Sequence, residues 1–231
     1  MKKLIFFLLA IAQISQANAD FFADADTFFR THVKEGMVAY EEIKKDQSLL
    51  NSLVEKIAAF NLKQANVAAQ KAFMINAYNI LAIKGIVDEY PVKSPFDVKD
   101  FFDAGRYTVA GEKMSLNTLE KEKLYPMAKD PRLHFVLVCA AVSCPKLADW
   151  AYNPDNLESQ IESKTKEVLN DPDFVRVKGN KVQVSEIFNW YSSDFKTKAS
   201  STVEYINIFR DTPLPSKKTS YYTYDWSLNK Q

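Results

Sequence analysis

Apolar positions recur along the first half of the chain at mixed three- and four-residue spacing, the period of a helix with one buried face. Phe21 to Val33 carries this pattern, and Leu49 to Phe60 carries it more regularly through Leu50, Leu53, Val54 and Ile57. Between them, Gly36 to Tyr40 breaks the period with a short extended piece. Ala65 to Val87 is the longest helical stretch and is nearly apolar after Lys71, which predicts a central helix buried on most of its circumference. Tyr90-Pro91 ends it, because the residue before a proline is pushed out of the helical region.

The period changes in the middle of the chain. Tyr107-Thr108-Val109 and Lys113-Met114 flank Ala110-Gly111-Glu112 and read as a hairpin, followed by a short helix from about Asn117 to Leu124. Leu133 to Val138 is apolar on both alternating faces, the pattern of a central strand. Asn153-Pro154 supplies a helix start, and the helix is expected to run to about Leu169. Phe174 to Val177 and Lys181 to Val184 surround Gly179-Asn180, a second hairpin. Ser185 then caps a helix through Trp190 to Phe195. The aromatic segment from Ser220 to Leu228 reads as extended. With no internal repeat and no long linker, these elements predict one α+β domain.

The N-terminus stands apart from this pattern. Lys2 and Lys3 precede an apolar run from Leu4 to Ile14, and Ala17-Asn18-Ala19 has the small-x-small form that signal peptidase accepts. The run falls short of the roughly 20 apolar residues of a membrane helix. Residues 1–19 are therefore expected to be a cleaved signal peptide and residues 20–231 the mature domain, secreted or periplasmic, with no membrane insertion after cleavage. Removing 19 of the 231 residues leaves 212, enough for one core. Removing Lys2 and Lys3 from the 30 basic groups leaves 28 against 29 acidic, a formal net of −1. Such a balance gives no electrostatic reason to bind nucleic acid. Neither a P-loop nor a dinucleotide fingerprint occurs, and two cysteines with two histidines do not make a four-ligand Cys/His zinc site. No cofactor and no metal are expected; the expected partner is a small-molecule or peptide ligand.

The chemistry concentrates between Asp130 and Pro145. On a strand, His134 and Cys139 would point to opposite faces. Cys144, beyond a turn, can fold back toward His134, and a thiol beside an imidazole is the minimum for nucleophilic catalysis. Two plainer readings compete. His134 can be a satisfied core histidine, and Cys139 and Cys144 can pair in an oxidising compartment, which would remove the nucleophile. Glu120 is the best acidic orienter for the imidazole, yet Asn117-Thr118-Leu119-Glu120 also has the form of a capping box. Asn76 and Asn79 share one face of the central helix, where a buried amide must be hydrogen-bonded. They either hold a loop's backbone or polarise a substrate carbonyl. Tyr78 and the cluster Trp190, Tyr191, Asp194 and Phe195 either line a pocket or fill the core.

Several segments together resemble a known family. They are Ala72 to Asn79, Leu119-Glu120, Asp130 to Leu147, Ile187 to Phe195, and the closing Tyr224-Asp225-Trp226-Ser227-Leu228-Asn229. In this order, from about Phe28 to Asn229, they look like the family of domain of unknown function 547, common in exported bacterial proteins. That family is similar in fold to papain-like and transglutaminase-like cysteine enzymes. The resemblance implies a central buried helix packed on a small antiparallel sheet that carries His134. It also implies a nucleophile at the start of the central helix, where this chain has Asn76. The family pattern continues after Glu120 with a histidine and, four residues on, an arginine; this chain has Lys121 and Tyr125. Three expectations follow. The first is a cysteine-dependent hydrolase or acyl-transfer enzyme acting on a peptide-like amide, with Cys144 (or Cys139) as nucleophile, His134 as base and Glu120 as orienter. In it Asn76, Asn79, Tyr78 and Trp190 contact the substrate. The second is a non-catalytic binding module gripping a small thiol or peptide, and the third is a disulfide-stapled structural envelope protein.

Overall fold

The computed structural model of the chain describes residues 18, 20–216 and 218–231. Apart from Asn18, the expected signal segment lies outside the described residues. Helix α1 (20–32) opens the domain and sinks Phe21, Ala25, Phe28 and Phe29 into the core. A tight hairpin follows, β1 (Val33–Lys34) against β2 (Met37–Val38), where the sequence predicts only a short extended piece. Gly36 in its turn has φ +83° and lies so close to Lys146 that a Cβ would collide with that residue's backbone and stem.

Helices α2 (Tyr40–Lys45) and α3 (Ser48–Ala59) then pack on α4 (Val67–Glu89), the predicted central helix. Asn66 caps α4 by accepting from the Ala69 N–H at 2.8 Å, and every position from Ala72 to Val87 except Lys84 is buried. The principal neighbours of α4 are α2, α3 and the helix that follows the hairpin at 107–114, so helices rather than a sheet cover it. That hairpin pairs β3 (Tyr107–Val109) with β4 (Glu112–Met114) across Ala110-Gly111, as the turn residues predict.

The next helix is longer than its sequence suggests. It runs over 116–128 as α5 (Leu116–Thr118), a π-helical stretch (Leu119–Leu124) and α6 (Tyr125–Ala128). Its cap is Ser115, whose hydroxyl accepts from the Thr118 N–H at 3.1 Å. The expected Asn117–Glu120 capping box is therefore overturned: Glu120 lies a turn inside the helix and its carboxylate is free to serve elsewhere.

The predicted central strand is also overturned. Pro131–Phe135 form a 3₁₀ turn capped by Asp130, whose carboxylate accepts from the Arg132 N–H at 3.0 Å, and the following segment to Cys139 is irregular. Arg132 pins this turn to α7 (Leu157–Asn170) through contacts to Asp130 (2.6 Å), Glu158 (2.7 Å) and Glu162 (3.2 Å). Helix α7 starts three residues after the predicted proline start, because Asn153 spends its side chain on the Asp155 N–H in a preceding turn.

The second hairpin forms as predicted, β5 (Val175–Lys178) with β6 (Lys181–Val184). The helix expected after Ser185 is split at Tyr191 into α8 (Ile187–Trp190) and α9 (Ser192–Phe195). A further helix, α10 (Thr202–Phe209), is capped by Ser201. β7 (Ser220–Tyr221) pairs in parallel with β6. The tail beyond it crosses the molecule and bridges Ala141 with Leu228 and Val38 with Lys230. The fold is α+β, with three small separate sheets among the described residues. Among the described residues, no helix is long and apolar enough to cross a membrane.

Candidate functional site

The two asparagines of α4 are the scaffold of the site. The Asn76 amide donates to the Tyr152 carbonyl at 2.8 Å and accepts from the Tyr152 N–H at 2.9 Å. The Asn79 amide does the same for Val136 and Val138, donating to the Val136 carbonyl and accepting from the Val138 N–H, each at 2.9 Å. These contacts replace a strand ladder, and they explain why an apolar segment with no sheet partner can be buried. Both amides hold loop backbone and neither lines the cleft formed by the residues below, so the expected substrate contact from Asn76 or Asn79 gives way to a structural role.

The loop that Asn79 holds delivers His134. Its Nε2 lies 2.9 Å from Asp194 Oδ2, while its Nδ1 lies 4.0 Å from Glu120 Oε1, beyond hydrogen-bond reach. The expected orienter is therefore Asp194, at the end of the split helix, and not Glu120. The imidazole sits in a column of rings, stacked on Tyr191 at 3.8 Å and more loosely on Tyr125 at 5.7 Å, with Phe195 edge-on. Tyr125 also donates to Asp194, so the carboxylate is held on both sides. Burial pushes the His134 ring below its ordinary value, outweighing the pull of Asp194 toward protonation. In the neutral ring, the nitrogen that faces the Asp194 carboxyl group, Nε2, is the one that carries the proton. Nδ1 is left as an acceptor.

Glu120, projecting from the π-helical stretch, is only 7% exposed. Burial raises its carboxyl above the ordinary value, although Lys121 and the hydroxyls of Tyr78 and Tyr191, which donate to it, pull the other way. An extra residue per turn in such a stretch re-aims the side chains that follow.

Cys139 and Cys144 are joined in a disulfide, with Cα atoms 6.3 Å apart. No free thiol remains, since these are the only cysteines in the sequence. The expectation of a Cys144 or Cys139 nucleophile therefore does not hold for this form of the protein. The Tyr224 hydroxyl touches both sulfurs, at 3.3 Å and 3.4 Å.

Glu120, His134, Tyr78, Tyr191 and both cysteines line one cleft of about 240 Å³. Its mouth is aromatic: Phe96 packs on Trp226 at 4.5 Å, Trp226 stacks on Trp190 at 5.7 Å, and Tyr224 touches both tryptophans. Phe96 and Trp190 are 61% and 47% exposed, unusual for rings without a binding role. Of the sequence candidates, the cleft gathers Tyr78, Glu120, His134, Cys139, Cys144 and Trp190. Sequence reasoning missed Phe96, Trp226, Tyr125 and the pairing role of Asp194. The one available signal was the aromatic density of Tyr224-Asp225-Trp226, which reads as a strand as readily as a wall.

A neighbouring concavity of about 300 Å³ lies across Cys144, but its two cations are already engaged. Lys146 pairs with Asp171 at 2.8 Å, and Arg176 lies 3.8 Å over the Tyr222 ring. The aromatic cleft is thus the better candidate.

No curated protein and no solved structure matches the chain. Residues 62–169 match the model of the family described as Protein of unknown function, DUF547, a span that carries α4, Glu120, His134 and the disulfide.

Proposed function

We propose that this is an exported binding protein whose aromatic cleft takes a small-molecule or peptide-like ligand. The observation that carries the reading is the cleft itself: polar groups converge at its foot, exposed rings wall its mouth, and both sulfurs are already joined. Aromatic walls supply contact area at little entropic cost, and a few placed polar groups give orientation. Export rests on the charged, apolar and small-x-small succession at the N-terminus. Tryptophan fluorescence during titration with a panel of dipeptides tests the binding. Saturable quenching that Trp226→Ala weakens at least tenfold is expected, and a flat response across the panel overturns the reading. N-terminal sequencing of the protein recovered from cells tests export, with Asp20 expected as the first residue.

A second reading is a cysteine-dependent hydrolase or acyl-transfer enzyme in the reduced state. It is favoured by Cys144 lining the same cleft as the His134–Asp194 pair, a base with its orienter. It requires a dithiol reductant to take the disulfide to two thiols and become oxidised itself. Ester hydrolysis that appears on reduction and vanishes in Cys144→Ser would establish it.

A further inference from the structure

We propose that the foot of the cleft is a primary-ammonium site. The gap between His134 Nδ1 and Glu120 Oε1 takes one –NH₃⁺ group of a ligand whose apolar body lies along Trp190, Trp226 and Phe96. This rests on the reading of the cleft as a ligand site and specifies its ligand class.

Two acceptors face each other 4.0 Å apart at the foot of the cleft. His134 Nε2 holds its proton against Asp194 at 2.9 Å, which leaves Nδ1 with a lone pair. Nδ1 faces Glu120 Oε1 at 4.0 Å, too far for a hydrogen bond between them, and that oxygen is itself an acceptor when ionised. A carboxylate offers about four lone-pair sites, and the Tyr78 and Tyr191 hydroxyls occupy two, so Glu120 keeps capacity to spare. Two acceptors 4.0 Å apart are both satisfied by one donor atom about 2.8 Å from each. The two bonds then open an angle of about 90° at that atom, close enough to tetrahedral for two hydrogens of an ammonium. A hydroxyl has one hydrogen and can serve only one acceptor. A quaternary ammonium has none.

The charge and the walls agree with this assignment. Among the charged residues lining the cleft, Asp103 and Glu120 face a single cation, Lys121, and Asp194 adds a further negative charge behind the imidazole. Lys121 is exposed and its ammonium competes for the same carboxylate from the rim. Tryptophan and tyrosine faces along the entry attract a passing cation and cover the hydrocarbon behind it.

Isothermal titration of the oxidised mature protein with three probes of one shape decides the matter: 2-phenylethylamine, 2-phenylethanol and trimethyl(2-phenylethyl)ammonium. The amine is expected to bind at least tenfold more tightly than either of the others. Glu120→Gln, which keeps an acceptor for the two tyrosines, is expected to bring the amine down to the level of the alcohol. Lys121→Ala, at the exposed rim and safe for folding, is expected to strengthen the amine severalfold at low salt. Equal binding of all three probes overturns the ammonium site and leaves the cleft as a ligand site. A quaternary probe as tight as the amine also overturns it, because it shows attraction to charge without N–H donation. No binding by any probe overturns the ammonium site and the reading it rests on together.

Discussion

His134 and Glu120 are buried side by side and titrate in opposite senses. Burial holds the imidazole below its ordinary 6.5. Its contribution to stability is therefore complete above that value and lost as pH falls through the unfolded value toward the depressed folded one. Burial holds the Glu120 carboxyl above its ordinary 4.5, so its contribution is complete below that value and lost as pH rises through the raised folded one. On acidification the two therefore act against each other, and the share of His134 is read by comparison with a variant that lacks the ring. Urea unfolding at about pH 7.5 and about pH 5.5 is expected to show wild type changing less favourably on acidification than His134→Asn, which keeps Glu120. His32, also depressed by burial, acts in the same direction, so the difference between the two proteins is the informative quantity. An identical change in both would mean that His134 is not held neutral by the fold.

At the scale of elements, the site is built by side chains that stand in for a sheet. Asn76 and Asn79 each satisfy one buried carbonyl and one buried N–H on a neighbouring loop. Removing either amide strands two backbone groups, at about 1–3 kcal/mol for each buried group left unsatisfied. Asn76→Ala is expected to lower unfolding free energy by about 3 kcal/mol in denaturant titration. Asn79→Ala is expected to cost as much and also to release the loop that carries His134, so ligand-induced fluorescence change should fall even where the variant remains folded. The same substitution of backbone pairing by amides explains what sequence did and did not reveal. α3, α4, both predicted hairpins and most of α7 were legible, because their signals are periodicity, caps and turn residues within a few positions. Leu133 to Val138 misled because burial on both faces looks the same whether a ladder or an asparagine satisfies the backbone. The His134–Asp194 pair joins positions 60 apart, and nothing local marks Asp194 rather than Glu120 as the partner. Six of the eight candidate residues still line the cleft, since their chemistry was visible even where their geometry was not.

On the scale of the molecule, the C-terminal tail ties the elements together. Asn229, fully enclosed, accepts from the Tyr40 hydroxyl at 2.8 Å and donates to the Gly36 carbonyl at 3.1 Å. The tail backbone pairs with the disulfide loop, through Val142 to Ser227 at 2.8 Å and Asn229 to Ala140 at 3.1 Å, and with Val38 on the first hairpin. It also contributes Tyr224 and Trp226 to the cleft. Deletion of 224–231 is expected to remove both a wall of the site and the bonds that close the core. Near-ultraviolet circular dichroism should flatten and the unfolding transition lose its cooperativity, whereas a sharp native-like transition would show the tail to be an accessory.

That tail also places a slow step in folding. The Gln231 amide reaches the carbonyls of His32 and Met37, 199 and 194 positions earlier in the chain. Contacts of such separation close late, because the chain between them must be drawn together first. Refolding is therefore expected to run more slowly than the helical content alone would give, with the tail contacts among the last to form.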